Sequence, residues 1–353
     1  VSGDFTWRDA GRTVVFRHEG VADAPQLLDE HGFAPFELLS TPRALAAATD
    51  LAAKATAVHN VPLGSVPGLA ATLLASVHGG RWASGVQIAD VSGPSAAGAL
   101  VAFGGGRVID VAKAVASVSG ARVVAIPTTM SGAEMTGIHR LPAGAESRVA
   151  SLVRPALVIA DPDAMTGQPE AQLRASSMNA LAHGADSLYT PFANPVSKMT
   201  ALRGAELIAG ALDEDPAGRD RAALALGSIL CGYAIDSGMF ALHHVICQTL
   251  VRVCGSPHAE TNAAILPHAA TFLAGRAPAE MSKLATAVDT DVDGLEPRLL
   301  ELGGRPAGLG AAGADRSQLD QAVEAMLQRP ELAFVPGPAL AKADLAELLD
   351  RAW

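Results

Sequence analysis

The sequence predicts an α/β N-terminal domain built on a parallel sheet, followed by an all-α C-terminal domain. Three observations carry this. Short β-branched runs alternate with helical stretches through the first half, the pattern of successive βαβ units. Beyond Asp161–Pro162 that alternation stops, and Ala- and Leu-rich stretches with apolar residues at the helical period continue to the C-terminus. A chain of 353 residues that is 49% apolar is long enough to bury two separate cores. The boundary is placed between residues 164 and 165.

Taken in order, residues 13–16 (TVVF) read as a strand, 22–31 as a helix, 36–39 as a strand and 43–54 as a helix. Residues 78–98 are rich in Gly and Ser and lack any period, so a long loop or insertion is expected there. The run 99–103 (ALVAF) reads as a buried strand that enters Gly104–Gly105–Gly106, with a helix over 108–118 and a further strand over 122–126. In the second half, 303–313 is expected to be a loop because glycine and proline recur through it.

Charge and composition narrow the partners. A net charge of −10 gives neither a nucleic acid nor an anionic membrane surface favourable electrostatics, so small molecules are the expected ligands. No apolar run approaches eighteen residues and the opening Val1–Ser2–Gly3–Asp4 has no signal-peptide character. Three cysteines, Cys231, Cys247 and Cys254, form no CxxC pair and suggest no disulfide framework, which fits a cytoplasmic protein.

Two loops carry the first chemical signal. Gly104, Gly105 and Gly106 follow a strand and open a helix, a context in which backbone N–H groups can cradle an anion and no side chain blocks it. Asp110 and Lys113 stand one helical turn apart just beyond, and Ile109 occupies the place of a third fingerprint glycine, so the ordinary GxGxxG pattern is absent. The hydroxyl-rich turn containing Thr128 and Thr129 follows the next strand; in a parallel sheet both loops fall on the ligand-binding carboxyl edge. A tight turn and ordinary helix capping are the structural alternatives for these residues.

The second signal is a set of histidines. Asn179 and His183 stand four apart in a segment free of proline, so a helix aims both from one face. His244 and His258 are too far apart for one face, and Gly255 and Pro257 between them predict a helix end and a return turn. One amide oxygen and three imidazoles from these elements could hold a divalent ion such as iron or zinc and leave room for a substrate oxygen. Asn179 is a weak ligand where a carboxylate would be strong, so weak metal retention is expected. His243, His268, His139 and His59 read more simply as hydrogen-bonded core residues.

The motifs GGGRVIDVAKA (104–114), PTTMSGAEMT (127–136), SSMNALAHGADSLY (176–189), ALHHVICQTL (241–250) and SPHAETNAAILPH (256–268), in this order, resemble those of the iron-containing alcohol dehydrogenase superfamily, most nearly its maleylacetate reductase branch. The resemblance implies a dehydroquinate synthase-like architecture: a Rossmann-like dinucleotide-binding domain over 1–164, a helical catalytic and metal-site domain over 165–353, an active site between them and a homodimer. It assigns Gly104, Gly105, Gly106, Arg107, Asp110, Thr128 and Thr129 to NAD(P)H, and Asn179, His183, His244 and His258 to the metal. Asn179 stands where the iron dehydrogenases carry aspartate and the reductases carry asparagine.

Departures from the pattern accompany the match. Arg107 replaces a serine, Ala133 a serine of the second loop, and Val251–Arg252 a glycine pair, while Arg17 stands where a glycine usually follows the first strand. Gln248 replaces a histidine one turn after His244, and an amide cannot deliver a proton near neutral pH. The expected activity is NAD(P)H-dependent reduction of a small carbonyl or enoyl-type substrate, with His244, His183 and His258 polarising its oxygen, Gln248 nearby and Arg252 available to pair with a substrate carboxylate. A non-redox lyase, cyclase or isomerase on the same scaffold, or a catalytically silent binding protein, are the alternatives those departures leave open. Gly105→Val is expected to abolish dinucleotide binding while sparing the fold.

Overall fold

The structure, a computed structural model, describes residues 5–9, 11–77, 98–145 and 152–353. These form two compact units, Val1–Gly167 and Gln168–Trp353. The first is a seven-stranded sheet in the order β1-β2-β7-β6-β5-β3-β4. Along the chain come β1 (Phe5–Asp9), β2 (Arg12–Phe16), α1 (Ala24–Glu30), β3 (Phe36–Ser40), α2 (Pro42–Leu45), α3 (Thr49–Lys54), β4 (Ala57–Asn60), α4 (Val66–Val77), β5 (Ala99–Gly104), α5 (Gly106–Ser119), β6 (Arg122–Pro127), β7 (Leu157–Ala160) and α6 (Pro162–Thr166). Among the described residues only the β1–β2 pair is antiparallel; the remaining pairs are parallel.

Strand alternation sorts side chains onto two faces. In β5, Leu100 and Ala102 join α4 and α5 in one core, while Ala99, Val101 and Phe103 join α1 and α3 in the other. From β3 the chain runs outward to β4, whereas β5, β6 and β7 proceed the other way. The direction of winding therefore reverses between β3 and β5, a topological switch point where loops part and a ligand can enter. The glycine loop emerges there.

Several elements differ from the sequence expectation. The helix expected over 43–54 is broken into α2 and α3: Thr41 caps the first, and Ala48 adopts φ −144° before the second begins. Nothing in the intervening alanines signals a break. β4 was not legible because it is an edge strand with Val58 45% exposed. The loop expected over 78–98 lies outside the described residues except for Gly98.

The second unit is helical: α7 (Glu170–Ser187), α8 (Pro195–Asp213), α9 (Arg221–Gly238), α10 (Leu242–Val253), α11 (His258–Ala274), α12 (Pro278–Ala287), α13 (Leu295–Leu302), α14 (Gly308–Ala311), α15 (Leu319–Leu327) and α16 (Lys342–Arg351), with short 3₁₀ turns at Arg316–Gln318 and Pro330–Phe334. The expected loop over 303–313 contains α14, because Leu309 is fully buried and its N–H reaches Ala352 O at 2.9 Å. Among the described residues no single helix is long and apolar enough to cross a membrane.

The helix α7 packs against α8, α9, α10 and α11 and is buried on every side from Ala175 to Ser187. A helix so placed should be apolar all round, yet this one carries Ser176, Ser177, Asn179, His183, Asp186 and Ser187. Ser177 and Ser187 satisfy themselves on carbonyls of their own helix. Asn179, His183 and Asp186 lie on one stripe, spaced four and three residues apart.

Candidate active site

In the first unit the two loops pack on each other. Thr128 N donates to Gly104 O at 3.0 Å. A Cβ on Gly105 would stand 3.0 Å from Thr129 Cγ2, and one on Gly106 would stand 2.8 Å from Ser131 Cβ. These glycines sit tight against the protein's own side chains, so the side chain in Gly105→Val would press on Thr129 as well as on any ligand, and the substitution tests loop packing together with dinucleotide binding. The N-terminus of α5 has no side-chain cap, since Gly105 is the capping residue. Nearby, Arg107 Nε is buried without a hydrogen-bond partner. An uncapped helix start, a glycine loop and an unpartnered cationic side chain suit the pyrophosphate of a dinucleotide.

Lys113 holds the second loop in place. Its fully buried ammonium donates to Ala133 O (3.0 Å), Ile138 O (2.8 Å), Thr136 Oγ1 (3.4 Å) and Asp110 Oδ1 (3.0 Å). The motif residues Asp110 and Lys113 therefore act first as a buried brace beneath the loop carrying Thr128 and Thr129. Glu134, in the same loop, is completely buried, and burial pushes its carboxyl up to about 7 against the attraction of Lys113.

In the second unit, α9 and α10 meet at 98°, with Met239 at φ 60° in the break. This turn presents the first N–H groups of α10 to α7. Ala241, the N-cap residue, supplies no capping side chain. Asp186 supplies it from a distance: its carboxylate accepts from the N–H groups of Ala241 (3.1 Å), His243 (3.4 Å) and His244 (3.2 Å), and from Tyr189 Oη. Leu242 N completes the set by donating to Tyr189 Oη at 3.1 Å. A carboxylate at a helix N-terminus is favoured both by the orphan donors and by the helix dipole.

The same carboxylate fixes a histidine. His244 Nδ1 lies 2.8 Å from Asp186 Oδ2, so the proton resides on Nδ1 and Nε2 keeps its lone pair. The rings of His183 and His244 stack with centroids 4.8 Å apart and 14° between planes. His183 Nδ1 and His244 Nε2 are both buried with no hydrogen-bond partner. Burial, followed by the charge of His244, holds His183 well below its usual range; burial likewise pushes His243 down to about 3. Burial acts to raise Asp186, but its bond to His244 outweighs this and the carboxyl stays below the ordinary range. His183 and His243 are therefore neutral imidazoles at neutral pH, beside a buried carboxylate.

The remaining sequence candidates fall as follows. Asn179 is buried one turn before His183. His258 is the exposed first residue of α11, close enough for its charge to act on His183 and His243. Gln248 is half-buried one turn beyond His244, and Arg252 is exposed in the last turn of α10. His243 is a core residue bonded to Asn262 O at 3.2 Å. Asp186 was overlooked in the sequence, although the 179–183–186 stripe and the downstream Tyr189 were there to be read. The tertiary role of Phe240, whose ring lies 5.9 Å from His244, was not legible at all.

A divalent ion fits this donor set. Side-chain ligating atoms of Asp186, His243 and His244 lie within 4.8 Å of one another, but Asp186 is engaged by five donors and His243 by Asn262 O. Those two orient rather than coordinate. The unpartnered nitrogens of His183 and His244 are the buried lone pairs left for an ion, while the sequence-expected set of His183, His244 and His258 does not gather within that distance among the described residues.

Comparison with known proteins places both units in one family. Residues 18–169 match the family model for iron-containing alcohol dehydrogenase, and residues 174–353 match the C-terminal model of the Fe-containing alcohol dehydrogenase family. Maleylacetate reductase 1 of Rhodococcus opacus is 33% identical over 73% of this chain and 74% of its own length. The maleylacetate reductase of Burkholderia cepacia is 34% identical over 70% and 72%. The crystal structure of maleylacetate reductase from Agrobacterium tumefaciens superposes with a TM-score of 0.80 at 27% identity, covering 100% of this chain and 99% of that one. With both units matched and the glycine loop and histidine pair in place, the chain belongs to the iron-containing alcohol dehydrogenase family, in its maleylacetate reductase branch, and is an oxidoreductase.

Proposed function

We propose that the protein is an NAD(P)H-dependent reductase of a small carbonyl or enoyl-type substrate. The observation that carries this reading is the histidine pair: His244, with its Nδ1 committed to Asp186, keeps an unpartnered Nε2 beside the stacked His183. The nicotinamide, when bound, supplies the hydride. Gly104, Gly105 and Gly106, with Arg107, Thr128 and Thr129, bind the dinucleotide, and Lys113 and Asp110 brace that loop from beneath. Asn179, His183, His244 and His258 hold a divalent ion weakly, because no carboxylate stands among them to offset its charge. Asp186 keeps His244 in one tautomer. The relatives named above as maleylacetate reductases support a substrate bearing carboxylate groups.

The test is NADH and NADPH oxidation with a panel of small oxo-acids and aldehydes, in chelator and in added Fe(II) or Zn(II). Turnover is expected with at least one oxo-acid, and His244→Ala should lower kcat/KM by about 100-fold or more while leaving dinucleotide binding intact. A protein that binds the dinucleotide yet oxidises it with none of the panel under either metal condition would refute the reading.

A further inference from the structure

The departure at Gln248 acquires a partner in the structure. Arg329, immediately before the 3₁₀ turn Pro330–Phe334, extends its guanidinium to α10 and donates from Nη2 to Gln248 Oε1 at 3.1 Å. A guanidinium only donates, so this bond fixes the amide: its oxygen faces Arg329 and its NH2 group turns away. Glu331 holds the other side of the fork, accepting from Nε at 3.0 Å and from Nη2 at 2.9 Å. Arg329 and Glu331 are each 19% exposed, so the guanidinium is positioned and partly desolvated.

Two donors are left over. Arg329 Nη1 and the Gln248 amide NH2 engage no acceptor among the described residues, and the Nη2 bond to Gln248 Oε1 keeps the two side chains in contact. Phe240 ties this donor pair to the histidines: the Arg329 guanidinium lies 6.0 Å from its ring and His244 lies 5.9 Å from the same ring. A carboxylate, with two oxygens, can take the free Nη1 of the guanidinium while the amide holds that guanidinium in place, and Phe240 offers an apolar wall for the carbons between that anion and the reacting oxygen at His244. The amide accepts from Arg329 without titrating near neutral pH, which a histidine at position 248 would do.

We propose that Arg329 is a specificity-determining residue that, with Gln248, binds the carboxylate of an oxo-acid substrate. This rests on the reductase reading for the chemistry but not for the binding. Arg252, the sequence candidate for the same role, is exposed at the end of α10 and has no contact with Phe240 or Gln248 among the described interactions.

The experiment compares 4-oxobutanoate with butanal, which differ at the end remote from the carbonyl by a carboxylate against a methyl group. In the full chain with saturating NADH or NADPH, the ratio of kcat/KM for 4-oxobutanoate to that for butanal should fall about ten- to a hundred-fold in Arg329→Met, chiefly through KM. Arg329→Lys, which keeps the charge and loses the fork, should show a smaller fall. Calorimetric titration with succinate, which cannot be reduced, should show a weakening of similar size. An unchanged ratio with unchanged succinate affinity in a folded variant overturns the proposal, as does an Arg252→Met variant that shifts the ratio while Arg329→Met does not. Should the wild type reduce neither aldehyde, the reductase reading stands or falls on the wider panel, and the succinate titration alone decides the role of Arg329. Should Arg329→Met not fold, Arg329→Lys and Gln248→Leu carry both measurements, and no shift in either variant is then the overturning result.

Discussion

Asp186 does two jobs with one carboxylate: it caps α10 at three backbone N–H groups and sets the tautomer of His244. Replacing it by asparagine removes the negative charge and turns an amide donor toward one set of backbone donors. Asp186→Asn is therefore expected to cost about 1–3 kcal/mol of stability, the penalty for leaving a buried donor unsatisfied. It should also weaken metal binding by about 10- to 100-fold, because an outer hydrogen-bond partner orients the ligand. Denaturant melts and metal titration check the two effects separately. Wild-type stability with intact metal affinity in the variant would show that the capping network carries no weight. Because the folded carboxyl lies below its ordinary value, its contribution is present above that value and is lost only as pH falls through the depressed folded one, so this network holds at neutral pH.

At the scale of elements, α8 and α9 approach so closely that their glycines become structural. A Cβ on Gly227 would stand 2.8 Å from Gly204 O and 2.8 Å from Ile208 Cγ1, and one on Gly204 would stand 2.8 Å from Gly227 O. Backbone cannot step aside as a flexible side chain can. Gly227→Ala, which would favour the isolated helix, is therefore expected to destabilise the second unit by about 1–3 kcal/mol. A thermal scan should show a fall of about 2–10 °C. An unchanged or raised transition would mean the seam relaxes freely. This packing matters to the site because α9 leads through the Met239 bend into α10, while α7, which carries His183 and Asp186, packs on both α8 and α9.

At the scale of the whole molecule, Glu134 ties stability to pH. Its folded carboxyl sits near 7 against an ordinary 4.5, so its favourable, protonated burial is complete below pH 4.5 and is lost as pH rises through about 7. The loss is on the order of 3 kcal/mol for a fully buried group shifted this far. Urea midpoints measured at pH 5 and pH 8.5 should fall more steeply for the wild type than for Glu134→Gln, which keeps the shape without the charge. Identical pH slopes in the two proteins would sink this assignment.

The sequence by itself determined the class of each half and the identity of most of the chemical groups. The period of β5, the glycines that follow it, the spacing of Asn179 and His183, and the Gly255–Pro257 break before His258 are local features, and local sterics and periodicity are enough to read them. What only the tertiary structure decided are relations between residues far apart in the chain. The sequence places Asp186 fifty-eight residues from His244, and nothing local says that its carboxylate caps another helix. Gln248 read alone is a lost proton donor; beside Arg329, eighty-one residues on, it is an oriented amide. Gly105 read alone is an open nest; against Thr129 it is a packing contact. A side chain's chemistry is fixed by its covalent structure, but its protonation, orientation and available hydrogen-bond valence are fixed by the neighbours that folding brings to it.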